Sequence, residues 1–70
     1  MTEERNFQKL NIEYKGRRIR LLNMKDDPNP ISSGSEGTII HVDDAGTVHV
    51  KWDNGRTLGV IIGHDKFQIF

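Results

Sequence analysis

Two glycine-terminated turns, flanked by alternating apolar residues, constrain the fold of this chain more than any other feature. The stretch reads HVDDAGTVHVKWDNGRTLGVI, residues 41–61. A two-residue hairpin loop at Asn54-Gly55 would place Leu58 on the polar face of the hairpin. A three-residue loop, 53–55, instead places Leu58 opposite Val50, so that the apolar residues share one face. The sequence therefore predicts a bulged three-residue turn with Gly55 at positive φ.

The same argument predicts a second three-residue loop, 44–46, with Gly46 at positive φ. It also predicts the outer face of the hairpins, with His41 opposite His49, Lys51 opposite both Ile39 and Thr57, and Gly59 beside His49. The residues expected to face the core are Thr38, Ile40 and Val42, then Val48, Val50 and Trp52, and finally Leu58, Val60 and Ile62.

Two further strands are predicted outside these hairpins. Residues 17–24 place Ile19 and Leu21 on one face, and the pattern becomes irregular at Leu22, which predicts a bulge or the end of regular pairing there. Residues 66–70 form a closing strand. Residues 25–37 are rich in proline, glycine and serine and are expected to form a long loop.

These elements predict an all-β fold, a small five-stranded SH3-like barrel spanning residues 15–70. Residues 1–14 form an N-terminal extension with two open interpretations. One is a short helix over about residues 2–9 capped by Thr2, and the other is disorder as far as Ile12.

Composition narrows the class of protein. A chain of 70 residues makes one small domain, and the absence of cysteine excludes a disulfide framework and a cysteine zinc site. No apolar run resembles a signal peptide or a membrane span, so we expect a soluble cytoplasmic protein without membrane contact.

The net charge of zero argues against strong non-specific binding to nucleic acid. The distribution is uneven, because residues 15–25 carry five bases and no acid before Asp26, whereas residues 26–70 carry seven acids and three bases. The basic strand either protects a sheet edge from aggregation or binds a polyanion.

The His41 and His49 pair is the most specific group of polar residues. Two imidazoles can share a metal ion, form a pH-sensitive patch, or be ordinary strand histidines. Asp43 and Asp65 are the carboxylates that could approach them. Two ligands without a defined third make a weak site, so no metal or other cofactor is predicted.

Catalytic chemistry is not indicated, and we expect no enzymatic activity. The serines occur only at positions 32, 33 and 35, without a nucleophile elbow, and the acids lie in turns where burial is not expected. Gly34 and Gly37 lack the spacing and lysine of a phosphate-binding loop.

Recognition is assigned instead to loops and exposed strand residues. The loop 25–35 is long for so small a domain and carries Asp26 and Asp27; alternatively it only covers one end of the barrel, with Ile31 in the core. Trp52 is expected in the core, with Arg56 opposite it at the rim. The candidate partner contacts are Arg18, Arg20, Asp26, Asp27, His41, His49, Lys51 and Arg56.

Residues 16–62 closely resemble domain-of-unknown-function family 4314, short proteins of bacteria, phages and mobile elements. The resemblance rests on motifs that include Asp27-Pro28, Gly37-Thr38, His49-Val50 and the segment WDNG at residues 52–55. It implies an SH3-like barrel and no established activity. The N-terminal stretch and His41 lie outside the family pattern.

The resulting functional expectation is a non-enzymatic protein-binding module, an accessory protein of a phage or mobile element. The alternative is nucleic-acid binding through the basic first strand, and sequestration of a small nucleotide-like ligand is a third, weaker interpretation. An exposed edge strand also leaves a homodimer open.

Overall fold

A computed structural model describes residues 7–24 and 27–70 as one helix followed by five strands in a single antiparallel sheet. The elements are α1 (Phe7–Tyr14), β1 (Arg18–Asn23), β2 (Glu36–Val42), β3 (Thr47–Trp52), β4 (Val60–Ile61) and β5 (Lys66–Ile69).

The strand order is β4-β3-β2-β1-β5, so β1 to β4 form a meander and β5 returns to pair with β1. This arrangement confirms the predicted five-stranded, mostly β fold. The edge strands β4 and β5 do not pair with each other in the described part of the chain, so the barrel is open rather than closed.

The core lies on one face of the sheet and is built from alternate strand residues. Trp52, 1% exposed, is the largest of the fully buried side chains, and its indole Nε1 donates a hydrogen bond to the Leu58 carbonyl at 2.8 Å. Its predicted core position is confirmed. The buried apolar residues are Ile19, Leu21, Ile31, Ile39, Val42, Val48, Val50, Trp52 and Val60.

Both predicted hairpin turns are confirmed. Gly46 and Gly55 have φ values of 87° and 92°. The Gly55 amide donates to the Trp52 carbonyl at 2.9 Å, which closes the first turn of the bulged loop. The β3–β4 register pairs Val48 with Val60, and an isolated bridge joins Lys51 to Thr57, as the hydrophobic phase requires.

The predicted phase of β2 is wrong in its first half. Ile39 is 1% exposed and pairs with Val50, whereas Ile40, expected in the core, is 44% exposed. A register shift between Ile39 and His41 takes Ile40 out of the pleat and reverses the faces of the residues before it. Thr38 consequently lies on the outer face, where it replaces Ile39 as the partner of Lys51.

Helix α1 extends to Tyr14, beyond the predicted end near residue 9, and disorder as far as Ile12 is wrong for the described residues from Phe7 onward. Thr2, the expected cap, lies outside the described residues. The spacing of Phe7, Leu10 and Tyr14 puts these apolar side chains on the helix face that packs against the core, whereas Ile12 is 79% exposed.

The helix also satisfies backbone groups of β2 where its pairing with β1 ends. The Asn11 side-chain Oδ1 accepts a hydrogen bond from the Val42 amide at 2.8 Å. The Gly16 amide donates to the Ile39 carbonyl at 2.8 Å.

The second register shift, between Leu21 and Asn23 in the β1–β5 pair, confirms the irregularity predicted at Leu22.

Among the described residues, no helix has the length and apolar character needed to cross a membrane.

Candidate functional site

The outer face of the sheet contains a recess of about 180 Å³, which we call the histidine groove. It is lined by Ile40 and His41 of β2, His49 and Val50 of β3, and residues 57–59. The register places these residues side by side, because Val48 pairs with Val60 and Lys51 bridges to Thr57, which sets His49 level with the intervening Gly59.

The two histidines form the polar wall of the groove. His41 and His49 are Cα partners, and their rings stack with centroids 4.3 Å apart and planes inclined by 14°. The predicted cross-strand pair is therefore brought together. The register shift that places Ile39 rather than Ile40 in the core lies before His41, so the pairing of His41 with His49 is as predicted.

Asp43 holds His49 in place from the turn between β2 and β3. His49 Nε2 lies 2.8 Å from Asp43 Oδ2, and Asp43 Oδ1 accepts hydrogen bonds from the Ala45 and Thr47 amides at 3.0 and 2.9 Å. The hydrogen bond from His49, with help from these amides, lowers the pKa of Asp43 below its ordinary value. A carboxylate only accepts hydrogen bonds, so Nε2 of His49 is the donor in this contact.

Of the two carboxylates expected near the histidines, Asp43 contacts the pair, whereas Asp65 accepts a hydrogen bond from the Ile61 amide at 2.9 Å. Asp65 is 8% exposed, so the expectation that the turn carboxylates avoid burial is wrong for this residue. Within residues 7–24 and 27–70, no group of three or more histidine, cysteine or acidic side chains is arranged to hold a metal ion.

A glycine and a bulge shape the groove. A Cβ added at Gly59 would lie 2.5 Å from Thr47 Cγ2, so the segment before β4 packs too closely against β3 to leave room for a side chain at Gly59. The bulge in β2 turns Ile40 outward to form an apolar wall, whereas half-buried Leu58 borders the recess and packs against the core. The sequence register pointed to Gly59 and Thr57, whereas Ile40 was missed because it was assigned to the core.

Two arginines of the basic first strand, Arg18 and Arg20, are paired with neighbouring acids. Arg18 makes two guanidinium hydrogen bonds to Asp53, at 2.9 and 2.6 Å. Arg20 donates twice to Glu36 Oε2, at 3.0 and 2.8 Å. The contact with Arg18 lowers the pKa of Asp53, and the same contact raises the pKa of Arg18.

Arg56 holds the long loop against the hairpin. Its Nη2 donates to the Asn29 carbonyl at 2.7 Å and its Nη1 to the Pro30 carbonyl at 3.2 Å. Ile31 is 3% exposed, which confirms that this loop contributes an apolar residue to the core. Asp27 Oδ1 accepts from the Asn29 amide at 2.9 Å, whereas Asp26 lies outside the described residues.

Lys51 differs from the two paired arginines. Its side chain is exposed on the same outer face, and it has no ion-pair partner within the described part of the chain. It bridges to Thr57, which lines the groove, and lies two residues from His49. The structure thus brings His41, His49 and Lys51 to one surface, whereas Arg18, Arg20 and Arg56 are engaged in other contacts, with Arg18 separated from Lys51 by Thr38.

A family model described as Domain of unknown function (DUF4314) matches residues 3–70, and the chain belongs to this family. The match covers the N-terminal helix as well as the strands, so the expectation that the N-terminal stretch lies outside the family pattern is wrong. No curated protein matches the chain, and no solved structure does.

Proposed function

We propose that this member of the DUF4314 family is a non-enzymatic protein-binding module that uses the histidine groove as its binding surface. The observation that carries the proposal is the placement of Ile40. A bulge turns this aliphatic side chain outward, 44% exposed, beside the stacked histidines and half-buried Leu58. An exposed apolar residue at the edge of a shaped recess with fixed polar groups is typical of a binding surface.

The size of the groove favours a side chain of a protein partner. Its volume of about 180 Å³ is below the roughly 300–1,000 Å³ of pockets that enclose a small-molecule ligand. The walls combine apolar side chains with imidazoles, the mixture that anchors a partner residue while polar neighbours fix its orientation.

A non-enzymatic role is supported by the surroundings of the Asp43–His49 pair. An aspartate that orients a histidine serves catalysis when the histidine in turn faces a nucleophile. Here the serines at positions 32, 33 and 35 lie outside the lining. Thr57 brings a hydroxyl to the groove, but no hydrogen bond joins it to either histidine in the described part of the chain.

Nucleic-acid binding is the weaker alternative. Its phosphate contacts would come from Lys15, Arg17, Arg18, Arg20 and Lys51. Arg18 and Arg20, the two within β1, already bind carboxylates through their guanidinium groups. A phosphate would have to displace Asp53 and Glu36 and would still meet their negative charge. Fluorescence anisotropy with a labelled oligonucleotide at low salt tests this alternative directly, and tight binding that Arg18→Ala and Arg20→Ala weaken would establish it.

The resemblance to proteins of phages and mobile elements supports an accessory role that modulates a host protein in the cytoplasm. The decisive experiment is affinity capture from the native host with a matched pair of variants. Ile40→Asp introduces a charge into the groove, and Leu22→Asp is the control, because Leu22 is 49% exposed and also lies at a strand bulge.

The proposal predicts one or more proteins that the wild-type chain and Leu22→Asp retain and Ile40→Asp loses. Circular dichroism and light scattering on the same samples establish that all three are folded and report whether the chain is a monomer or a homodimer. Equal retention of every captured protein by Ile40→Asp and the wild type would contradict the proposal.

A further inference from the structure

The charges around the histidine groove point to a more specific partner. Resting on the function proposed above, we propose that the groove binds a protein segment in which an apolar side chain is flanked by an aspartate or glutamate. The apolar side chain occupies the recess, and the flanking carboxylate pairs with Lys51.

The apolar half of this proposal follows from the lining. Ile40 presents an exposed aliphatic side chain at the recess, and His41 and His49 line it beside Ile40 with stacked rings. The stacked rings are held parallel, and His49 is fixed by Asp43, so this polar wall is preorganised and little side-chain freedom remains to be lost on binding.

The preference for an acidic residue follows from which charged side chains on the outer face already have an ion-pair partner. Arg18 is paired with Asp53, which follows β3 two residues after Lys51, and Arg20 is paired with Glu36, so both acids are already held by arginines. Lys51 is exposed beside the groove without an ion-pair partner among the residues that the structure describes. It is therefore the cation at the groove that a carboxylate from a partner can approach without displacing an internal acid.

The acid at the groove does not cancel this preference. Asp43 binds His49 through one oxygen and the Ala45 and Thr47 amides through the other. Asp43 lies near the start of β3, before the turn that leads into this strand, whereas Lys51 lies near its end. This polarity orients the partner, with its carboxylate towards Lys51 and away from Asp43.

The test uses a random 12-residue peptide library displayed on phage and selected against the full chain. Selected sequences are synthesised with a fluorescent label, and their affinity is measured by anisotropy. We expect an aspartate or glutamate next to an apolar residue in the selected sequences. Changing that acid to its amide should weaken binding about two- to fivefold, the range that an exposed ion pair supplies.

Variants of the chain separate the two halves. Lys51→Ala should weaken the acidic peptides about two- to fivefold and have no effect on their amide versions. Lys66→Ala, at an exposed lysine of edge strand β5, is the matched control and should leave every affinity unchanged. Ile40→Asp should abolish binding of both peptide versions.

Two outcomes overturn the inference in different ways. If Ile40→Asp abolishes binding but Lys51→Ala and the acid-to-amide change do not weaken it, the groove is a binding surface without a preference for acids, and only this inference fails. If the library yields no peptide that depends on Ile40, the proposed groove function fails with it.

Discussion

Replacing Gly46 and Gly55 separately by alanine tests both the hairpin turns and the packing of α1. The two residues have nearly the same left-handed backbone, with φ values of 87° and 92°. An alanine in this region costs about 1–2 kcal/mol, partly offset by about 0.4–1 kcal/mol because alanine restricts the unfolded chain. A Cβ at Gly55 meets no heavy atom within 4 Å, so Gly55→Ala should cost about 1 kcal/mol from the backbone alone.

Gly46→Ala should cost more. A Cβ at this position lies 2.8, 3.2 and 3.4 Å from three atoms of the Phe7 ring, so the ring must move off the turn. Losing part of the burial of an aromatic side chain adds about 1–2 kcal/mol, which brings the expected total to about 2–3 kcal/mol. A domain of this size has roughly 4–10 kcal/mol of stability, so both effects are measurable.

The assay is urea denaturation followed by the fluorescence of buried Trp52. Repeating both glycine substitutions in a Phe7→Ala background provides the control, because the difference between them should then disappear. The turn geometry would be refuted by a neutral or stabilising effect of Gly55→Ala. Equal costs for the two substitutions in the wild-type background would refute the packing of Phe7 on Gly46.

Three further predictions concern the groove and its supports. The lowered pKa of Asp43 means that its contact with His49 stabilises the fold above the ordinary aspartate pKa of about 3.9, and that this stabilisation is lost as the pH falls through the lower pKa of the folded state. Asp43→Asn should therefore reduce the free energy of unfolding at neutral pH. In strong acid the variant and the wild type should have the same free energy of unfolding, as measured by urea denaturation across this pH range. Trp52→Phe removes the indole hydrogen bond to Leu58 and leaves a void, so it should cost about 2–4 kcal/mol in urea denaturation followed by circular dichroism, because this variant lacks the single tryptophan of the chain. Arg56→Gln should cost about 1 kcal/mol and speed amide hydrogen exchange in residues 29–31, because the guanidinium no longer holds the loop; unchanged exchange there would contradict this role.

The hairpin register could be predicted from the sequence because three apolar residues on each strand had to share one face. That condition selected the three-residue loop at Gly55, and with it the pairing of Val48 with Val60. It also placed His41 opposite His49, which is the main polar element of the candidate site.

The bulge at Ile40 could not be predicted in the same way. Ile39 and Ile40 are adjacent and identical, so hydrophobicity does not indicate which one faces the core. In the structure Ile39 faces the core, and the segment before β1 pairs with β2 at this residue. The Gly16 amide donates to the Ile39 carbonyl, and the Ile39 amide donates to the Arg17 carbonyl.

The ion pairs of Arg18 and Arg20 could not be predicted from the sequence pattern either. Arg18 and Asp53 are 35 positions apart and meet only because β2 lies between β1 and β3 in the sheet. Likewise, Arg56 was placed at the rim correctly opposite Trp52, but its bonds to the Asn29 and Pro30 carbonyls depend on the path of an irregular loop.

Hydrogen–deuterium exchange of the chain, free and bound to a protein that it captures, tests most directly whether the histidine groove is the binding surface. We expect slower amide exchange on binding, concentrated in residues 38–41, 49–51 and 57–59, with β1 unchanged. Protection concentrated in β1 around Arg18 and Arg20, with none in these three segments, would contradict the central claim.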